Sequence, residues 1–499
     1  MRYLMAIDQG TSSSRCILYD LEGKAVAAAQ QEFRQIFPEP GWVEHDPEEI
    51  WQSQASVCRD AMRQLGSRPS DIAGIGITNQ RETVVIWDRQ SGKPIYNAIV
   101  WQDRRTAKHC ARLKAEGWET KVQAKTGLLL DPYFSATKIR WILDHVDGAY
   151  EKARQGRLAF GTIDTWLIWK MTQGELHITD VTNASRTLLF NIDTLTWDEE
   201  LLDLFGIPAA LLPEVKSSSE CYGLTRDTII GSDIPIAAIV GDQQASLFGQ
   251  MCIEPGMAKC TYGTGSFLVM NIGAEKILSK HRLLTTVAWQ IGDRVDYALE
   301  GSVFVGGAVI QWLRDGLHLF DSAADSERLA VSVSDNGGVY FVPAFTGLGA
   351  PYWDPEARGA IFGLTRGATA AHITRAALES VAFQVDDILR SLSSDSGRPV
   401  SQLRIDGGAA ANQFIAQFQS DISALEVLRP EYLETTALGA AYLAGIAVGV
   451  WTLDQLVDQW RADRSFNGTM PIEEIETHKK QWRKAVERVR DWAEKERSA

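Results

Sequence analysis

An α/β protein made of two similar units with a cleft between them is the fold class that this sequence predicts. Three observations favour it. With 499 residues the chain is too long for one hydrophobic core, so two or more domains are expected. Two strand–turn–strand segments of the same design lie about half a chain apart. Around them, strand-like apolar runs alternate with segments in which apolar residues recur at helical spacing.

The first strand–turn–strand segment opens the chain and reads YLMAID, QGTSSS and RCILYD. Its turn combines backbone N–H groups around a glycine with the hydroxyls of Thr11, Ser12 and Ser13, and Arg15 follows. Such donors suit phosphate oxygens. Asp8 would be repelled by phosphates unless a divalent cation lay between them, so it is a candidate partner of Mg²⁺, through water. A capped hairpin without a ligand is the alternative interpretation.

The second segment, GMAKCTYGTGSFLVMNIG, repeats this design and places Thr264 in a Gly-Thr-Gly-Ser turn. A third turn, in RIDGGAAANQF, carries Gly408 at a strand end and Asn412 one turn into the following helix. Glycine there permits close backbone approach to an adenosine. Glycine-bearing turns that face each other across a cleft are typical of a nucleotide clamp, although short Gly/Thr/Ser hairpins also recur by chance.

The boundary between the two units is predicted near residue 250, after GDQQASLFGQ. The predicted domains are therefore 1–250 and 251–450, followed by a peripheral helical tail over 451–499. The most apolar window, 437–451, consists mainly of small side chains. Because a membrane span needs about 20 apolar residues, we interpret this window as a buried helix that a neighbour approaches closely.

Composition and charge exclude several classes of protein. The net charge of -14 repels a phosphate backbone, so no nucleic-acid partner is expected. The six cysteines are scattered, which fits reduced thiols in a cytoplasmic protein and neither a disulfide framework nor a zinc site. No secretory signal opens the sequence, and membrane insertion is not expected.

A long series of segments resembles the FGGY family of carbohydrate kinases, and within it the members that phosphorylate glycerol. The similarity runs from about residue 3 to residue 455. The segments that carry it are DQGTSSSR, GITNQRE, AIVWQDRR, DPYFSATKIRWIL, GTIDTWLIWKMTQG, TDVTNASRT, GDQQASLFGQ, KCTYGTGSF, PAFTGLGAPYWDPEARGAIFGLTRG and RIDGGAAANQF. The resemblance implies two duplicated ribonuclease-H-like domains of the actin and hexokinase type. It also implies that ATP binds mainly to the C-terminal domain and glycerol deep in the central cleft.

A glycerol pocket needs fixed donors, fixed acceptors and apolar walls, and the chain carries residues of each kind. The resemblance assigns glycerol binding to Arg81, Glu82, Tyr133, Asp242 and Gln243, with Trp101 and Phe267 as aromatic walls and Asp242 as the general base. Taken alone, Arg81 and Glu82 are also compatible with a surface ion pair and Trp101 with a core position. Asp242, next to two glutamines at an apolar strand end, has no comparable structural explanation.

For the nucleotide, the resemblance implies contacts from both units. Thr264, Gly307, Gln311, Gly408 and Asn412 would contact it, and Thr11, Ser12, Ser13 and Arg15 would assist at the phosphates. Asp242 would accept the proton of a terminal hydroxyl as it attacks the γ-phosphorus, while Mg²⁺ balances phosphoryl charge. Homodimers or homotetramers are expected from the same resemblance.

Regulation by two known inputs is not expected. Residues 225–237 lack the glycine- and lysine-bearing run with which some family members bind fructose 1,6-bisphosphate, and they contain no histidine for phosphorylation.

Two other functions stay open at this point. One is phosphorylation of another polyol or sugar by the same family. The other is an actin-like or heat-shock-like ATPase that acts through conformational change, although such a protein has no use for a polyol pocket.

Overall fold

A computed structural model describes residues 2–226 and 230–493. The strands are β1 (Tyr3–Gln9), β2 (Ser13–Tyr19), β3 (Ala25–Glu32), β4 (Glu44–His45), β5 (Ile72–Asn79), β6 (Val85–Asp88), β7 (Ala98–Ile99), β8 (Leu158–Gly161), β9 (Ile178–Asp180), β10 (Phe190–Asn191), β11 (Thr196–Trp197), β12 (Glu214–Lys216), β13 (Ser219–Leu224), β14 (Pro235–Gly241), β15 (Met257–Tyr262), β16 (Ser266–Gly273), β17 (Leu284–Ile291), β18 (Arg294–Val303), β19 (Tyr340–Val342), β20 (Ala360–Phe362), β21 (Gln402–Asp406), β22 (Val427–Pro430) and β23 (Ala462–Phe466). The helices are α1 (Pro47–Leu65), α2 (Ala107–Ala115), α3 (Glu119–Thr126), α4 (Ser135–His145), α5 (Ala149–Arg154), α6 (Ile163–Met171), α7 (Val181–Ala184), α8 (Glu199–Phe205), α9 (Asp242–Gly249), α10 (Ala308–Asp315), α11 (Ala323–Val331), α12 (Ala370–Ser396), α13 (Gln413–Ser423), α14 (Thr435–Ala447), α15 (Leu453–Gln459) and α16 (Ile472–Val489).

One large sheet contains the same strand pattern twice. Its order is β23-β22-β21-β15-β16-β18-β17-β13-β14-β5-β1-β2-β3. In the N-terminal half, β1 pairs antiparallel with β2 and parallel with β5, which is itself parallel to β14. In the C-terminal half, β15 pairs antiparallel with β16 and parallel with β21, which is parallel to β22. The predicted duplicated α/β fold is confirmed.

The two halves share little sheet pairing. Strands β13 and β17 meet through one residue pair, Ser219 and Ile291. Each half has its own apolar core, because β1, β5 and β14 pack on α1 and α6, whereas β15, β16 and β18 pack on α12. The opposite faces of β1 and β14 pack against α9 and α14. The two halves therefore have largely distinct cores, which meet at these two helices and where side chains of α7 and β10 join the C-terminal core.

Helices α9 and α14 touch closely because glycines lie at their crossing. A Cβ atom on Gly249 would lie 2.0 Å from the carbonyl oxygen of Thr435, and one on Gly439 would lie 1.9 Å from that of Ala245. Neither position tolerates a side chain at this spacing. The interpretation of the apolar window 437–451 as a buried, closely approached helix is confirmed for α14.

The segment 451–499, predicted as a peripheral helical tail, differs from that description in one element. Besides α15 and α16 it contains β23, which pairs antiparallel with β22 at the edge of the large sheet. The domain boundary near residue 250 stays a prediction. In the loop 225–237, residues 227–229 lie outside the described residues. No helix within the described ranges is long and apolar enough to cross a membrane.

Candidate active site

Three parallel strands of the N-terminal half end at one edge, and each end carries a predicted site residue. Asp8 lies in β1, Arg81 and Glu82 follow β5, and Asp242 begins α9 directly after β14. Because β1, β5 and β14 are mutually parallel neighbours, their carboxyl ends meet. Open α/β sheets bind their ligands outside such ends. The topology therefore brings the predicted polyol and metal residues together.

Asp242 places a carboxylate at this edge and uses only one of its two oxygens in hydrogen bonds with the described part of the chain. Its Oδ1 lies 3.1 Å from Arg81 Nε and accepts a hydrogen bond from the backbone N–H of Gln243 at 2.7 Å. Oδ2 has no hydrogen-bond partner among the described residues. Burial raises the pKa of Asp242, and the charges of Arg81 and Lys259 oppose part of that rise. A carboxylate with a raised pKa and a free oxygen suits a proton acceptor.

Arg81 is a buried guanidinium whose orientation is set by the other half of the molecule. Its Nη1 and Nη2 donate to the two carboxylate oxygens of Glu300, in β18, at 2.6 and 2.9 Å. Nη1 also donates to Gln244 Oε1 at 3.0 Å. This paired geometry fixes the plane of the guanidinium. One hydrogen of Nη2 takes part in no hydrogen bond of the described residues and is available to a polyol.

The backbone of Glu82 adopts a conformation that is rare for residues other than glycine. Its φ is 62°, in the left-handed region, which costs about 1–2 kcal/mol for a residue with a Cβ. Its Oε1 accepts from Arg186 Nε at 2.7 Å. Arg186 also donates through Nη2 to Glu300 at 3.1 Å, so the two arginines and two glutamates form one buried network. Strain of this kind persists where the surroundings hold a functional side chain in place.

Gln243 lies next to Asp242 and is held by a lysine from the other half. Its Oε1 accepts a hydrogen bond from the Nζ of Lys259, in β15. Lys259 Nζ also donates to Thr261 Oγ1 at 2.8 Å, and the lysine is fully buried. The Nε2 group of Gln243 is therefore the end that remains for a ligand.

Aromatic rings meet beside these polar groups. The ring centroids of Trp101 and Tyr133 are 5.5 Å apart, and those of Trp101 and Phe267 are 6.4 Å apart. All three residues are partly exposed. The indole N–H of Trp101 donates to Thr11 Oγ1 at 3.0 Å, which connects the aromatic wall to the first turn. The predicted walls and the predicted phosphate turn are thus neighbours.

The first turn is closed by a hydrogen bond from the Gly10 N–H to the carbonyl oxygen of Ser13 at 3.0 Å. Ser12 is exposed, and Ser13 Oγ accepts from Gln30 Nε2 at 3.0 Å. Arg15 forms an ion pair with Glu434, which precedes α14 in the C-terminal half. Arg15 therefore reaches across the mouth of the cleft and is paired with a carboxylate.

Asp8 lies among negative charges. Burial raises its pKa, and Glu434 and Asp242 raise it further, against the opposing charge of Arg15, to about 7. A divalent cation would relieve this accumulation of charge, so the residues fit Mg²⁺ held through water. Within 2–226 and 230–493, no three His, Cys, Asp or Glu side chains are grouped closely enough to hold a metal ion by themselves. Phosphate oxygens and water would have to supply the other ligands of such a cation.

The second turn packs on the start of α10. The N–H groups of Gly306 and Ala308 donate to the carbonyl oxygen of Thr264 at 2.8 and 3.1 Å. A Cβ atom on Gly307 would lie 2.8 Å from the carbonyl oxygen of Gly263, so this contact requires glycine. Gln311 follows one turn later in α10 and is exposed. Three residues predicted to contact the nucleotide therefore lie on one surface.

The third turn lies beside the second. Gly407 has a φ of 85°, and a Cβ atom there would lie 2.6 Å from the carbonyl oxygen of Tyr262. Gly408 is exposed with no atom near its Cβ position, which leaves room for a ligand. Asn412 caps α13, because its Oδ1 accepts from the Ile415 N–H at 3.1 Å. Its side-chain amide N–H groups remain for a ligand.

Sequence reasoning missed the buried charges that support the site. No role is predicted from the sequence for Lys259, Arg186 or Glu300, although all three are fully buried charged residues. The available signal was a charged residue inside an otherwise apolar strand, in MAKCTY and in DYALEGSV. Such charges are rarely fully buried without a partner.

Comparisons with known proteins identify the family of the chain. Residues 3–249 match the sequence model of the FGGY family of carbohydrate kinases, N-terminal domain, and residues 258–448 match that of the C-terminal domain. Curated relatives named glycerol kinase, from Paraburkholderia phytofirmans and Burkholderia cenocepacia, are each 59% identical over 494 residues, covering 99% of both chains. The crystal structure of Plasmodium falciparum glycerol kinase with ADP is 40% identical, with a TM-score of 0.93 and coverage of 98% of each chain. The chain therefore belongs to the FGGY family of carbohydrate kinases.

Proposed function

We propose that this protein transfers the γ-phosphoryl group of ATP to a terminal hydroxyl of glycerol and forms sn-glycerol 3-phosphate. The names of the relatives that match over almost the whole chain support this substrate. The observation that carries the proposal is the convergence of Arg81, Glu82, Asp242 and Gln243 beside three aromatic rings. This pocket offers a donor or acceptor to each hydroxyl of a small polyol and apolar cover to its carbons.

In the proposed reaction Asp242 is the general base. Its Oδ2 takes the proton of a terminal hydroxyl, whose oxygen attacks the γ-phosphorus in line. The new O–P bond forms as the bond between the γ-phosphorus and the β,γ-bridging oxygen breaks, and ADP carries away that electron pair. The raised pKa of Asp242 favours acceptance of the proton.

The nucleotide and Mg²⁺ belong to the same proposal. Asp8 would hold Mg²⁺ through water, and the ion would balance charge on the phosphoryl oxygens. The phosphates would meet Thr11, Ser12 and Ser13, and Arg15 would exchange Glu434 for a phosphate oxygen. The second and third turns would hold the rest of the nucleotide through Thr264, Gly307, Gln311, Gly408 and Asn412.

A cytoplasmic location and a homodimer or homotetramer complete the proposal. The location is supported by the need for ATP and by the scattered free cysteines, five of which are buried. Sedimentation velocity of the purified protein tests the assembly, and a single monomeric species would contradict it.

A kinase of the same family that acts on a larger sugar is the competing function. A xylulose kinase structure from Lactobacillus acidophilus is 25% identical, with a TM-score of 0.87 and coverage of 98% of this chain and 97% of that chain. ADP release should be measured with glycerol, xylulose, gluconate and no substrate. We expect turnover with glycerol at least about 100-fold above the others, because a site built around specific hydroxyls leaves polar groups unpaired with the wrong substrate. Faster turnover with either sugar would overturn the glycerol assignment.

A further inference from the structure

A fully buried lysine that takes no part in the proposed reaction lies beside the polyol residues. Lys259 is in β15 of the C-terminal half, and its exposure is 0%. No carboxylate of the described residues lies within ion-pair distance of it. Its Nζ donates instead to Gln243 Oε1 and to Thr261 Oγ1. An ammonium group taken out of water is costly unless its contacts serve it well, so this arrangement calls for an explanation.

The lysine removes an ambiguity in Gln243. The oxygen and nitrogen of a side-chain amide are nearly indistinguishable in shape, and their assignment follows from their partners. An ammonium group has three donors and no acceptor, so the atom that faces Lys259 must be the amide oxygen. The Nε2 group is thereby turned away from Lys259.

Gln243 thus becomes a hydrogen-bond donor to a ligand, and Asp242 becomes a hydrogen-bond acceptor. Asp242 keeps Oδ2 as a free acceptor, and Gln243 keeps Nε2 as a free donor. Two neighbouring hydroxyls of a polyol can then bind with fixed hydrogen-bond directions. One hydroxyl donates to the carboxylate, and the other accepts from the amide. If the side-chain amide of Gln243 rotated by half a turn, its Oε1 would lie beside Oδ2 of Asp242. The second hydroxyl would then face an acceptor and lose its donor.

We propose that Lys259 is a positioning residue that fixes the hydrogen-bond polarity of the glycerol pocket through Gln243. The inference rests on the proposed phosphorylation of glycerol and deepens it, because it names what determines how the polyol is held. Lys259 comes from the C-terminal half and Gln243 from the start of α9, so the pocket acquires its polarity only where the two halves meet.

The test compares Lys259→Met with Lys259→Arg, which keeps a charged donor, and with Lys170→Met as a matched control. Lys170 lies in α6 and forms an ion pair with Glu48 of α1 at 3.0 Å. It is not part of the site. We expect Lys259→Met to raise the glycerol KM about tenfold, the value of one lost hydrogen bond, and to change the ATP KM less than about threefold. Lys259→Arg should recover part of the loss, and Lys170→Met should behave as wild type.

A double-mutant cycle with Gln243→Ala separates positioning from a general structural role. If Lys259 acts through Gln243, adding Lys259→Met to Gln243→Ala should raise the glycerol KM by less than about threefold further. Additive losses, or an equal rise of both KM values, would overturn the proposal. If Lys259→Met fails to fold by circular dichroism, Thr261→Val loosens the same lysine, and an unchanged glycerol KM in that variant would overturn the proposal as well.

The experiments distinguish a wrong substrate assignment from a wrong role for Lys259. Wild-type protein that releases no ADP with glycerol would contradict the substrate and this inference with it. Wild-type turnover with glycerol, together with an unchanged glycerol KM in Lys259→Met, would contradict only the role of Lys259.

Discussion

At the scale of single residues, the molecule buries a cluster of opposite charges beside the residues of its proposed polyol pocket. Arg81, Glu82, Arg186 and Glu300 are each no more than 2% exposed. Burial alone would raise the pKa of Glu300, but the charges of Arg186 and Arg81 and the Arg81 hydrogen bonds lower it to about 2. A buried ion network of this kind adds little net stability, yet loss of one member is costly. Its evident result is that Arg81 and Glu82 are held rigidly.

The first prediction concerns Asp242, the proposed general base. Asp242→Asn keeps the size and one acceptor of the side chain but cannot take a proton. The single-turnover rate of phosphoryl transfer should fall by about 10²- to 10⁴-fold, while glycerol and ATP bind within a few-fold of wild type. Asp144→Asn, at an exposed helix position paired with Arg140, is the control and should change neither. A fall of less than tenfold accompanied by weaker glycerol binding would assign Asp242 to positioning alone.

The second prediction concerns Glu300 and pH. Glu300→Gln should lower the free energy of unfolding by about 3–5 kcal/mol near neutral pH, because two buried arginines lose their shared counterion. The folded-state pKa of Glu300, about 2, lies below the ordinary value of 4.5. Its ionised form therefore stabilises the fold above about pH 5, and this contribution is lost as pH falls towards 2. Denaturant titrations from pH 7 to 3 should show the difference between wild type and variant shrinking.

A buried glutamate with the opposite shift is the control. Burial raises the pKa of Glu379, against its hydrogen bonds with Arg375 and Asn336. Wild type should therefore gain stability relative to Glu379→Gln as pH falls. The same pH trend in both variants would mean that the Glu300 network does not hold an ionised carboxylate.

At the scale of elements, the C-terminal helix α16 is anchored by one large side chain. Trp482 is 1% exposed, its ring stacks on Phe383 with centroids 5.2 Å apart, and its indole N–H donates to Asp387 at 2.8 Å. Its neighbours on the buried face of α16 are smaller. Trp482 is therefore the largest single side chain that this helix buries.

The third prediction follows from that anchor. Trp482→Ala should destabilise the protein by about 3–5 kcal/mol through a cavity and the loss of one hydrogen bond to Asp387, which keeps its hydrogen bonds from Tyr352 and Arg390. Trp492→Ala is a matched control, since Trp492 is 71% exposed, and it should change stability by less than about 0.5 kcal/mol. Thermal unfolding followed by circular dichroism measures both. Equal effects of the two substitutions would show that α16 is not anchored by Trp482.

At the scale of the whole molecule, hydrogen bonds and ion pairs join the halves at several places. Among them are the pairing of β13 with β17, the network around Glu300, the hydrogen bond from Lys259 to Gln243, and the ion pair between Arg15 and Glu434. The Arg15–Glu434 pair lies beside the first turn, where we propose that the nucleotide phosphates bind. Glu434 is half-exposed, so water weakens this attraction and a ligand can replace it.

The fourth prediction uses this pair. Glu434→Gln should tighten ADP binding by up to about fivefold, because Arg15 no longer has to leave a carboxylate and the surface pair is worth at most about 1 kcal/mol. The gain should decrease as ionic strength rises. Glu431→Gln, in the same loop, is the control and should leave the affinity unchanged. Isothermal titration calorimetry measures the affinities, and weaker ADP binding in Glu434→Gln would show that Glu434 itself supports the nucleotide site.

The sequence by itself determined the features that depend on neighbouring residues. The two strand–turn–strand segments, the buried small-residue helix α14 and the position of Asp242 at a strand end follow from periodicity and turn chemistry. These signals are local, so a linear reading can detect them. The resemblance then added which ligand each turn would meet.

Only the tertiary structure decided how distant charges pair. Arg81 and Glu300 are 219 positions apart, and Lys259 reaches Gln243 from the opposite half. Asn412 became a helix cap, and β23 joined the sheet edge within a segment predicted as helical. The physical reason is the cost of burial, because a charge taken out of water must have a partner. Which partner it meets depends on the strand ends that the folded sheet brings together, and no local pattern encodes that.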